Sequence, residues 1–286
     1  MPSRYRHSHP VAEMPEWAPT TTDVRKSGRE KAAITDEFRE RTRSTSMTRT
    51  LRTVREEPMS TEALPPVVDA DTWQRELDAL RIREKAATRE LDAIAAQRRR
   101  LPMVELPDYT LEGEQGPIRL ADIFDGRSQL IVYNHMWFEG EQWQCPGCTG
   151  FTSQFTRLEF LDNYDARFVI VTQGPIDEAL AYKRRVGNKM PWYSTAHSPF
   201  GAEVGAPPDS GFAVNVFLRH DDTVYRTWHT NGRGTEQLSH TFSLIDLLPY
   251  GRQEEWQDSP TGWPQSPTYT RWASSQDIAA AYGEPD

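Results

Sequence analysis

Both cysteines of this 286-residue chain fall within four residues, Cys145-Pro146-Gly147-Cys148. The window follows an apolar run, 129–138, that predicts a buried strand, and it precedes a run that predicts a helix. Two thiols separated by two residues at a helix start can close a small disulfide, and the backbone N–H groups there stabilise a thiolate. A chain that uses cysteine only here indicates cysteine chemistry, with Cys145 as the first candidate.

The predicted elements around this window follow a β-α-β-α-β-β-α order. The strand at 129–138 is followed by a helix at 146–163, a strand at 167–173, a helix at 176–186, a link through 191–193, strands at 213–219 and 223–228, and a helix at 235–248. A parallel βαβ unit joined to an antiparallel hairpin and a closing helix predicts an α/β fold, a mixed sheet with helices on both faces. The divisions expected are an extension at 1–68, a long helix at 69–102, the α/β domain at 103–252 and a Pro/Trp-rich tail at 253–286.

The predicted extension is rich in Arg, Thr, Ser, Glu and Pro and has no sustained apolar period, which is typical of a disordered or loosely structured segment. Residues 1–55 hold twelve Lys and Arg against seven Asp and Glu. The extension is either a solvated tail or a basic arm for an anionic partner.

The segment that follows is predicted to be an amphipathic helix of about 30 residues. Its apolar positions repeat every three or four residues, at Trp73, Leu77, Leu80, Ala87, Leu91, Ile94 and Leu101. One interpretation is packing along the α/β domain. The other is a homodimer through the 71–101 helix, because long heptad-like stripes favour coiled-coil contact.

Composition excludes several classes of function. A net charge of −9 argues against general nucleic-acid binding, and no apolar run approaches the roughly 18 residues of a membrane span. No apolar segment typical of a secretory signal follows the N-terminus, so we expect a cytoplasmic protein. Two cysteines in a reducing compartment favour a catalytic, redox or metal role over a structural disulfide. No Gly-rich nucleotide fingerprint occurs, and no cofactor is predicted.

Several longer motifs resemble those of one family, the thioredoxin-like bacterial proteins grouped as DUF899, over residues 71–264. The matching motifs are Arg98-Arg99-Arg100-Leu101-Pro102, the run 120–133, Cys145-Pro146-Gly147-Cys148-Thr149, Met190-Pro191-Trp192-Tyr193-Ser194, the run 247–254 and Asp258-Ser259-Pro260-Thr261-Gly262-Trp263-Pro264. The resemblance implies a thioredoxin-like fold, related to peroxiredoxins and thiol-disulfide oxidoreductases, with the cysteine pair at the usual redox position. It implies no particular substrate.

One position departs from the thioredoxin pattern. Thioredoxins place a cis-proline just before the third core strand, facing the cysteines, whereas the nearest equivalents here are Phe212 and Ala213. The docking of a substrate backbone beside a disulfide therefore lacks its usual support.

The leading prediction is a thiol-disulfide oxidoreductase or thiol peroxidase. Cys145 attacks a disulfide or a peroxide as the thiolate, and Cys148 resolves the intermediate. The partner is then a redox protein or a small-molecule disulfide or peroxide. One alternative is a non-catalytic thioredoxin-like interaction module. Another is a copper or zinc site in which the two thiolates are joined by a histidine such as His135, His229 or His240.

Neighbouring residues are candidates for lining the site. Trp143 is a candidate wall or shield, and Gln144 a candidate hydrogen-bond donor, although both residue types also serve to cover a core. Pro146 suits the first helical position, where a missing N–H costs nothing, and Gly147 is a further candidate for lining the site. His135, at the end of the central strand, is a candidate for proton transfer or a structural histidine.

Overall fold

The computed structural model describes residues 64–208 and 211–283, so most of the predicted 1–68 extension lies outside the described residues. The first described helix, α1, runs Ala70–Arg98, and Asp69 caps it by accepting from the Thr72 N–H at 2.8 Å. A long N-terminal helix was predicted from the sequence, and this prediction is confirmed. No residue of α1 is buried. At the end of this helix the Arg98 guanidinium lies 4.7 Å from the centroid of the Trp228 ring, and packing along the α/β domain stays a prediction.

The remaining elements form a mixed sheet with flanking helices. The strands are β1 Val104–Glu105, β2 Thr110–Gly113, β3 Gly116–Arg119, β4 Gln129–His135, β5 Ala166–Thr172, β6 Trp192–Ser194, β7 Ala213–His220 and β8 Thr223–Thr230. The helices are α2 Leu120–Ile123, α3 Pro146–Ser153, a 3₁₀ helix Glu159–Tyr164, α4 Ile176–Arg185, α5 Phe200–Glu203, α6 Arg233–Glu236, α7 His240–Ile245 and α8 Ser275–Tyr282.

The sheet of the described residues has the order β1-β8-β7-β4-β5-β6-β2-β3. Strand β4 pairs with β5 in parallel and with β7 in antiparallel orientation, and β7 and β8 form an antiparallel hairpin. These four strands, with α3 and α4 following β4 and β5, have the order and directions predicted from the sequence. The thioredoxin-like mixed α/β fold is thus confirmed.

The central strands alternate their side chains between two hydrophobic clusters. Along β4, Leu130 and Val132 join one cluster, whereas Tyr133 joins the other together with Cys145 and Cys148. Because successive side chains of a strand point to opposite faces, this alternation assigns one cluster to each face of the sheet. The two cysteines therefore pack against the face that carries Tyr133.

Three details of the predicted secondary structure were wrong. The helix expected at 146–163 ends at Ser153, and the 3₁₀ helix Glu159–Tyr164 follows it. Near that end, the Thr152 hydroxyl donates to the Cys148 carbonyl at 2.9 Å and the Ser153 hydroxyl to the Gly150 carbonyl. Hydroxyls that bond to carbonyls of the preceding turn weaken a helix.

The second detail is the link expected at 191–193, which is in part the strand β6, parallel to β5 and buried throughout. The third is the closing helix expected at 235–248. It is divided into α6 and α7, because Ser239 starts a new helix by accepting from the Phe242 N–H.

Of the Pro/Trp-rich tail expected at 253–286, the structure describes residues 253–283, and polar contacts lie next to and within this part. Arg252 bonds to Glu236 at 2.5 Å and to Asp246 at 2.8 Å, and Ser274 and Asp277 form a capping box for α8. Within the described residues, no helix is both long enough and apolar enough to cross a membrane.

Candidate thiol site

The two cysteines occupy the first turn of α3. Cys145 is the N-cap of this helix, and its sulfur accepts a hydrogen bond from the Cys148 N–H at 3.4 Å. Pro146 fills the first helical position, as expected from the sequence. Both cysteines are free thiols and both are buried, with 5% of Cys145 and 2% of Cys148 exposed.

The two thiols differ in acidity. The hydrogen bond from the Cys148 thiol, supported by the backbone N–H groups of Cys148 and Gly147, lowers the pKa of Cys145 although burial opposes it. Burial, followed by the hydrogen bond and charge of Cys145, raises the pKa of Cys148 well above its usual value. Cys145 is therefore the thiol that ionises first, and Cys148 keeps its proton.

Tyr133, on β4, packs in the same hydrophobic cluster as Cys145 and Cys148. Its ring stacks on Phe151 with 4.8 Å between centroids, and its hydroxyl hydrogen-bonds with Cys148. Burial raises the pKa of Tyr133 far above its usual value, and the hydrogen bond with Cys148 also raises it. Tyr133 therefore stays a neutral hydrogen-bonding group next to the more basic thiol. Tyr133 was not predicted as a site residue from the sequence, although strand alternation places it on the face that carries the cysteines.

Several hydroxyls lie next to the backbone of the turn that holds Cys145. The Thr149 hydroxyl donates to the Cys145 carbonyl at 2.9 Å and lies 2.7 Å from the Tyr182 hydroxyl. The Ser275 hydroxyl donates to the Gln144 carbonyl at 2.8 Å. Burial raises the pKa of Tyr182 to about 12. No local pattern in the sequence indicated Tyr182 or Ser275, which lie 37 and 130 residues beyond Cys145.

His135, expected as a candidate for proton transfer, is 2% exposed at the end of β4. Its Nδ1 lies 2.7 Å from the Met136 carbonyl, and its Nε2 has no hydrogen-bond partner in the described part of the chain. Burial lowers the pKa of His135 to about 4. The ring packs 5.1 Å from Trp192, so this histidine is a neutral core residue near neutral pH.

Trp137 fills the space next to Gly174, and its indole N–H is a second buried donor without a partner among the described residues. A Cβ atom at Gly174 would lie 2.2 Å from the Trp137 ring. The ring also meets Tyr182 edge to face, with 6.0 Å between centroids. Trp137 therefore contacts Tyr182 of α4 and also Gly174, just after the end of β5.

Trp143 and Gln144 shape the loop before Cys145. The Trp143 ring is half-buried beneath the Arg185 guanidinium, which lies 5.5 Å from its centroid. The Gln144 side chain accepts from the Phe138 N–H at 2.6 Å and donates to the Glu141 carbonyl at 2.8 Å. The oxygen and the nitrogen of the Gln144 side-chain amide therefore both bond to the backbone of the loop that precedes Cys145.

Phe212 and Ala213 stand before and at the start of β7. Phe212 packs against the hydrophobic cluster of the cysteines, and Ala213 pairs with Asn134 of β4. No cis peptide bond occurs within residues 64–208 and 211–283. The structure thus shows no cis-proline at this position.

The histidines of the metal alternative do not form a site with the thiols. In the residues that the structure describes, no group of three or more His, Cys, Asp or Glu side chains is arranged to hold a metal ion. His229 instead places Nδ1 3.1 Å from the Asn215 side chain. The geometry gives the copper or zinc alternative no support.

The fold and the thiol pair together define a thioredoxin-like protein with two cysteines in the first turn of the helix after its first core strand. The chain belongs to the family described as "Bacterial protein of unknown function (DUF899)", whose model matches residues 62–277. No match was found among curated proteins.

Two solved structures are similar to parts of the chain. One is named as the thiol:disulfide interchange protein DsbE of Chlorobium tepidum, with 14% identity and a TM-score of 0.33 over 48% of this chain and 91% of that one. The other is the mitochondrial 2-Cys peroxiredoxin of Plasmodium falciparum, with 13% identity and a TM-score of 0.32 over 50% and 92%. These likenesses are too weak to carry a conclusion about activity.

Proposed function

We propose that this protein is a thiol oxidoreductase in which Cys145 is the nucleophile and Cys148 the resolving thiol. The observation that carries the proposal is the asymmetry of the pair. The sulfur of Cys145 accepts from the Cys148 N–H at the start of α3, and the pKa of Cys145 falls while that of Cys148 rises. A nucleophile that ionises readily beside a thiol that keeps its proton is the arrangement that two-step thiol exchange requires.

With a disulfide substrate, the Cys145 thiolate attacks one sulfur and the other sulfur leaves as a thiolate. Cys148 then loses its proton and attacks Cys145, which releases the second substrate thiol and leaves a Cys145–Cys148 disulfide. With a hydroperoxide, the distal oxygen is transferred to Cys145 and an alcohol or water leaves. Cys148 then displaces water from the sulfenic acid. In both cases an external dithiol returns two electrons to the pair, and the reducing cytoplasm is the compartment that we propose for it.

The alternative of a non-catalytic interaction module also has a specific observation in its favour. Both thiols are almost fully buried, and buried cysteines serve elsewhere as small hydrophobic residues. A buried thiol in apolar surroundings has a raised pKa, however, whereas the hydrogen bonds of Cys145 lower its pKa. This opposite direction favours the oxidoreductase.

The test is the fraction of Cys145–Cys148 disulfide as a function of the glutathione redox potential, read by mass after thiol trapping. We expect a reversible two-electron transition in the wild type and none in Cys148→Ser. Two thiols that stay reduced across the accessible range would contradict the proposal and leave the interaction module as the better account.

A further inference from the structure

The C-terminal segment 272–283 packs directly on the turn that holds the cysteines. A Cβ atom at Gly147 would lie 2.7 Å from the Trp272 ring, so this ring rests on the backbone between Cys145 and Cys148. Next to it, the Ser275 hydroxyl donates to the Gln144 carbonyl and lies 3.3 Å from the Thr149 hydroxyl. We call residues 272–283 the C-terminal cover.

The far end of the cover is held as closely as its beginning. The Tyr282 carbonyl oxygen lies 1.8 Å from where a Cβ would stand at Gly187, which has φ +67°. Only glycine allows both this approach and this backbone conformation without strain. Between the two ends, Ile278 is buried and meets α3 at Gly150. The cover therefore spans from the cysteine turn to the end of α4.

Two buried carboxylates fix the chain that leads into the cover. Glu254 accepts from the Tyr269 N–H at 2.8 Å, and Glu236 accepts from the Tyr269 hydroxyl at 3.3 Å while it pairs with Arg252. The Tyr269 ring lies 4.3 Å from Trp272 between centroids. These contacts hold the indole of Trp272 over Gly147.

Cys145 lies two residues before Gly147, and it is 5% exposed. Exchange with a disulfide requires three sulfur atoms to approach in line, with the substrate chains on either side. A hydroperoxide presents only a small oxygen pair. We propose that the C-terminal cover admits small oxidants such as hydroperoxides to Cys145 and excludes the disulfides of folded proteins, with Trp272 as the residue that determines this selectivity. The inference rests on the proposed function for its redox step.

The balanced step for this substrate class is the oxygen transfer described above. The Cys145 thiolate attacks the distal oxygen, the O–O bond breaks, and the leaving alkoxide or hydroxide takes up a proton. The water released when Cys148 closes the disulfide is also small. No product of the cycle requires the cover to lift until an external dithiol reduces the disulfide.

Access to Cys145 can be measured without any redox turnover. In the reduced full chain carrying Cys148→Ser, we would compare the alkylation rate with iodoacetamide and with a maleimide attached to a long polyethylene glycol. Trp272→Ala should raise the rate with the bulky reagent at least tenfold and change the iodoacetamide rate less than threefold. Gly150→Ala is the matched control, because its Cβ would meet Ile278 at an ordinary 3.7 Å.

A second variant changes the contact between Gly147 and Trp272 at Gly147 instead of at Trp272. Gly147→Ala places its methyl group against Trp272, so it should displace the cover and also raise the rate with the bulky reagent. Near-UV circular dichroism would report whether each variant keeps its fold. If folded Trp272→Ala keeps the wild-type ratio between the rates with the bulky and the small reagent, the proposal that the cover limits access to Cys145 is wrong.

The substrate class is tested with the two wild-type thiols. Hydrogen peroxide should convert the reduced pair to the disulfide, whereas insulin disulfides should be reduced by Trp272→Ala and not by the wild type. Wild-type reduction of insulin at the rate of the variant would overturn the selectivity. If neither oxidant produces the disulfide while the alkylation ratio still changes in Trp272→Ala, the proposed redox function is wrong. The proposal that the cover limits access to Cys145 is then still supported.

A separate observation concerns α1, whose apolar stripe is exposed. Trp73 is 57% and Leu91 60% exposed, and Leu80 and Ile94 on the same stripe are also exposed. The spacing alternates between four and three residues from Trp73 to Ile94, which is the pattern of a coiled-coil seam. Glu84 is the charged residue in the middle of this seam.

Charge decides how a second copy would pair with this seam. In a parallel pair, Glu84 would face Glu84 of the second copy, and like charges in a seam are unfavourable. In an antiparallel pair centred between residues 85 and 86, Glu84 lies beside Ala87 and Leu80 beside Leu91. The flanking Arg83 then meets Glu90 of the second copy, twice by symmetry. We propose that α1 pairs in antiparallel orientation with a second copy of this chain.

Sedimentation equilibrium of the full chain tests this pairing. The wild type should be a dimer and Leu80→Asp a monomer, while Ile82→Asp, on the opposite side of the helix and 73% exposed, should remain dimeric. Arg83→Glu should weaken the dimer, and Arg83→Glu with Glu90→Arg should restore it, which parallel pairing does not predict. A monomeric wild type, or a double variant no stronger than Arg83→Glu, would overturn the antiparallel pair.

Discussion

The backbone N–H of Cys148 points at the sulfur of Cys145, with 3.4 Å between nitrogen and sulfur. This bond, the Cys148 thiol and the N–H of Gly147 all favour the thiolate of Cys145. The reactive form of Cys145 is therefore present above a lowered pKa and is lost as the pH falls through that value. The neighbouring thiol thus acts on the nucleophile before any reaction begins.

The first prediction concerns the alkylation of Cys145 by iodoacetamide as a function of pH. In the reduced wild type, the midpoint of the rate profile should lie below about 8.5, the value of a free thiol. In Cys148→Ala the midpoint should move upward, because the strongest hydrogen bond to Cys145 is lost. A wild-type profile that coincides with that of a free thiol would contradict the assignment of Cys145 as nucleophile.

The second prediction concerns Tyr133→Phe. The hydroxyl of Tyr133 lowers the pKa of Cys148 against the larger effect of burial, so its removal should make Cys148 harder to ionise. We expect disulfide closure from the Cys145 sulfenic acid to slow about three- to tenfold, the size of one hydrogen bond, with the first oxidation step unchanged. Stopped-flow oxidation followed by thiol trapping separates the two steps. Equal slowing of both steps would show that Tyr133 acts only through the fold.

The third prediction is a pH dependence of stability that arises at His135. Its pKa is about 4 in the folded protein against 6.5 for the ordinary side chain. Between these values the unfolded chain binds a proton that the folded chain does not, so the free energy of unfolding should fall as the pH drops through this window. The loss approaches about 3 kcal/mol below pH 4.

Urea unfolding from pH 7 to pH 4 measures this effect. His135→Asn should flatten the pH dependence. A wild-type slope that survives unchanged in His135→Asn would assign the effect to other groups.

The fourth prediction concerns the contact between Gly174 and Trp137. A methyl group at Gly174 would meet the centre of the indole of Trp137 at 2.2 Å, and this rigid ring is buried, with 8% of Trp137 exposed. Gly174→Ala should lower the free energy of unfolding by about 1–3 kcal/mol, the usual cost of overpacking. Gly150→Ala, whose methyl group makes an ordinary contact, serves as the control in urea unfolding. Equal midpoints for the two variants would contradict the predicted clash.

Local pattern was enough to predict the central part of the fold. The apolar run before the cysteines became β4, the residues after it became α3 with Pro146 at the first helical position, and the hairpin of β7 and β8 followed. These elements were predictable because their signals, side-chain period and turn residues, lie within a few neighbouring positions. The position of the thiol pair at a helix start follows from the same local signals.

Other elements depended on pairing that no local pattern reports. Strand β6 has only three residues, and it exists because Trp192 pairs with β5 and Ser194 with both β5 and β2. The break between α6 and α7 depends on capping by Ser239, which competes with continuation of one helix.

The sequence by itself determined the thioredoxin-like order of elements, the place of Cys145 and Cys148 in it and the long helix α1. Only the tertiary structure placed Ser275 beside Gln144 and Trp272 over Gly147. The physical reason is sequence separation. Secondary structure follows from interactions within a few residues, whereas residues more than a hundred positions apart meet only through the packing of α8 and its preceding chain on α3.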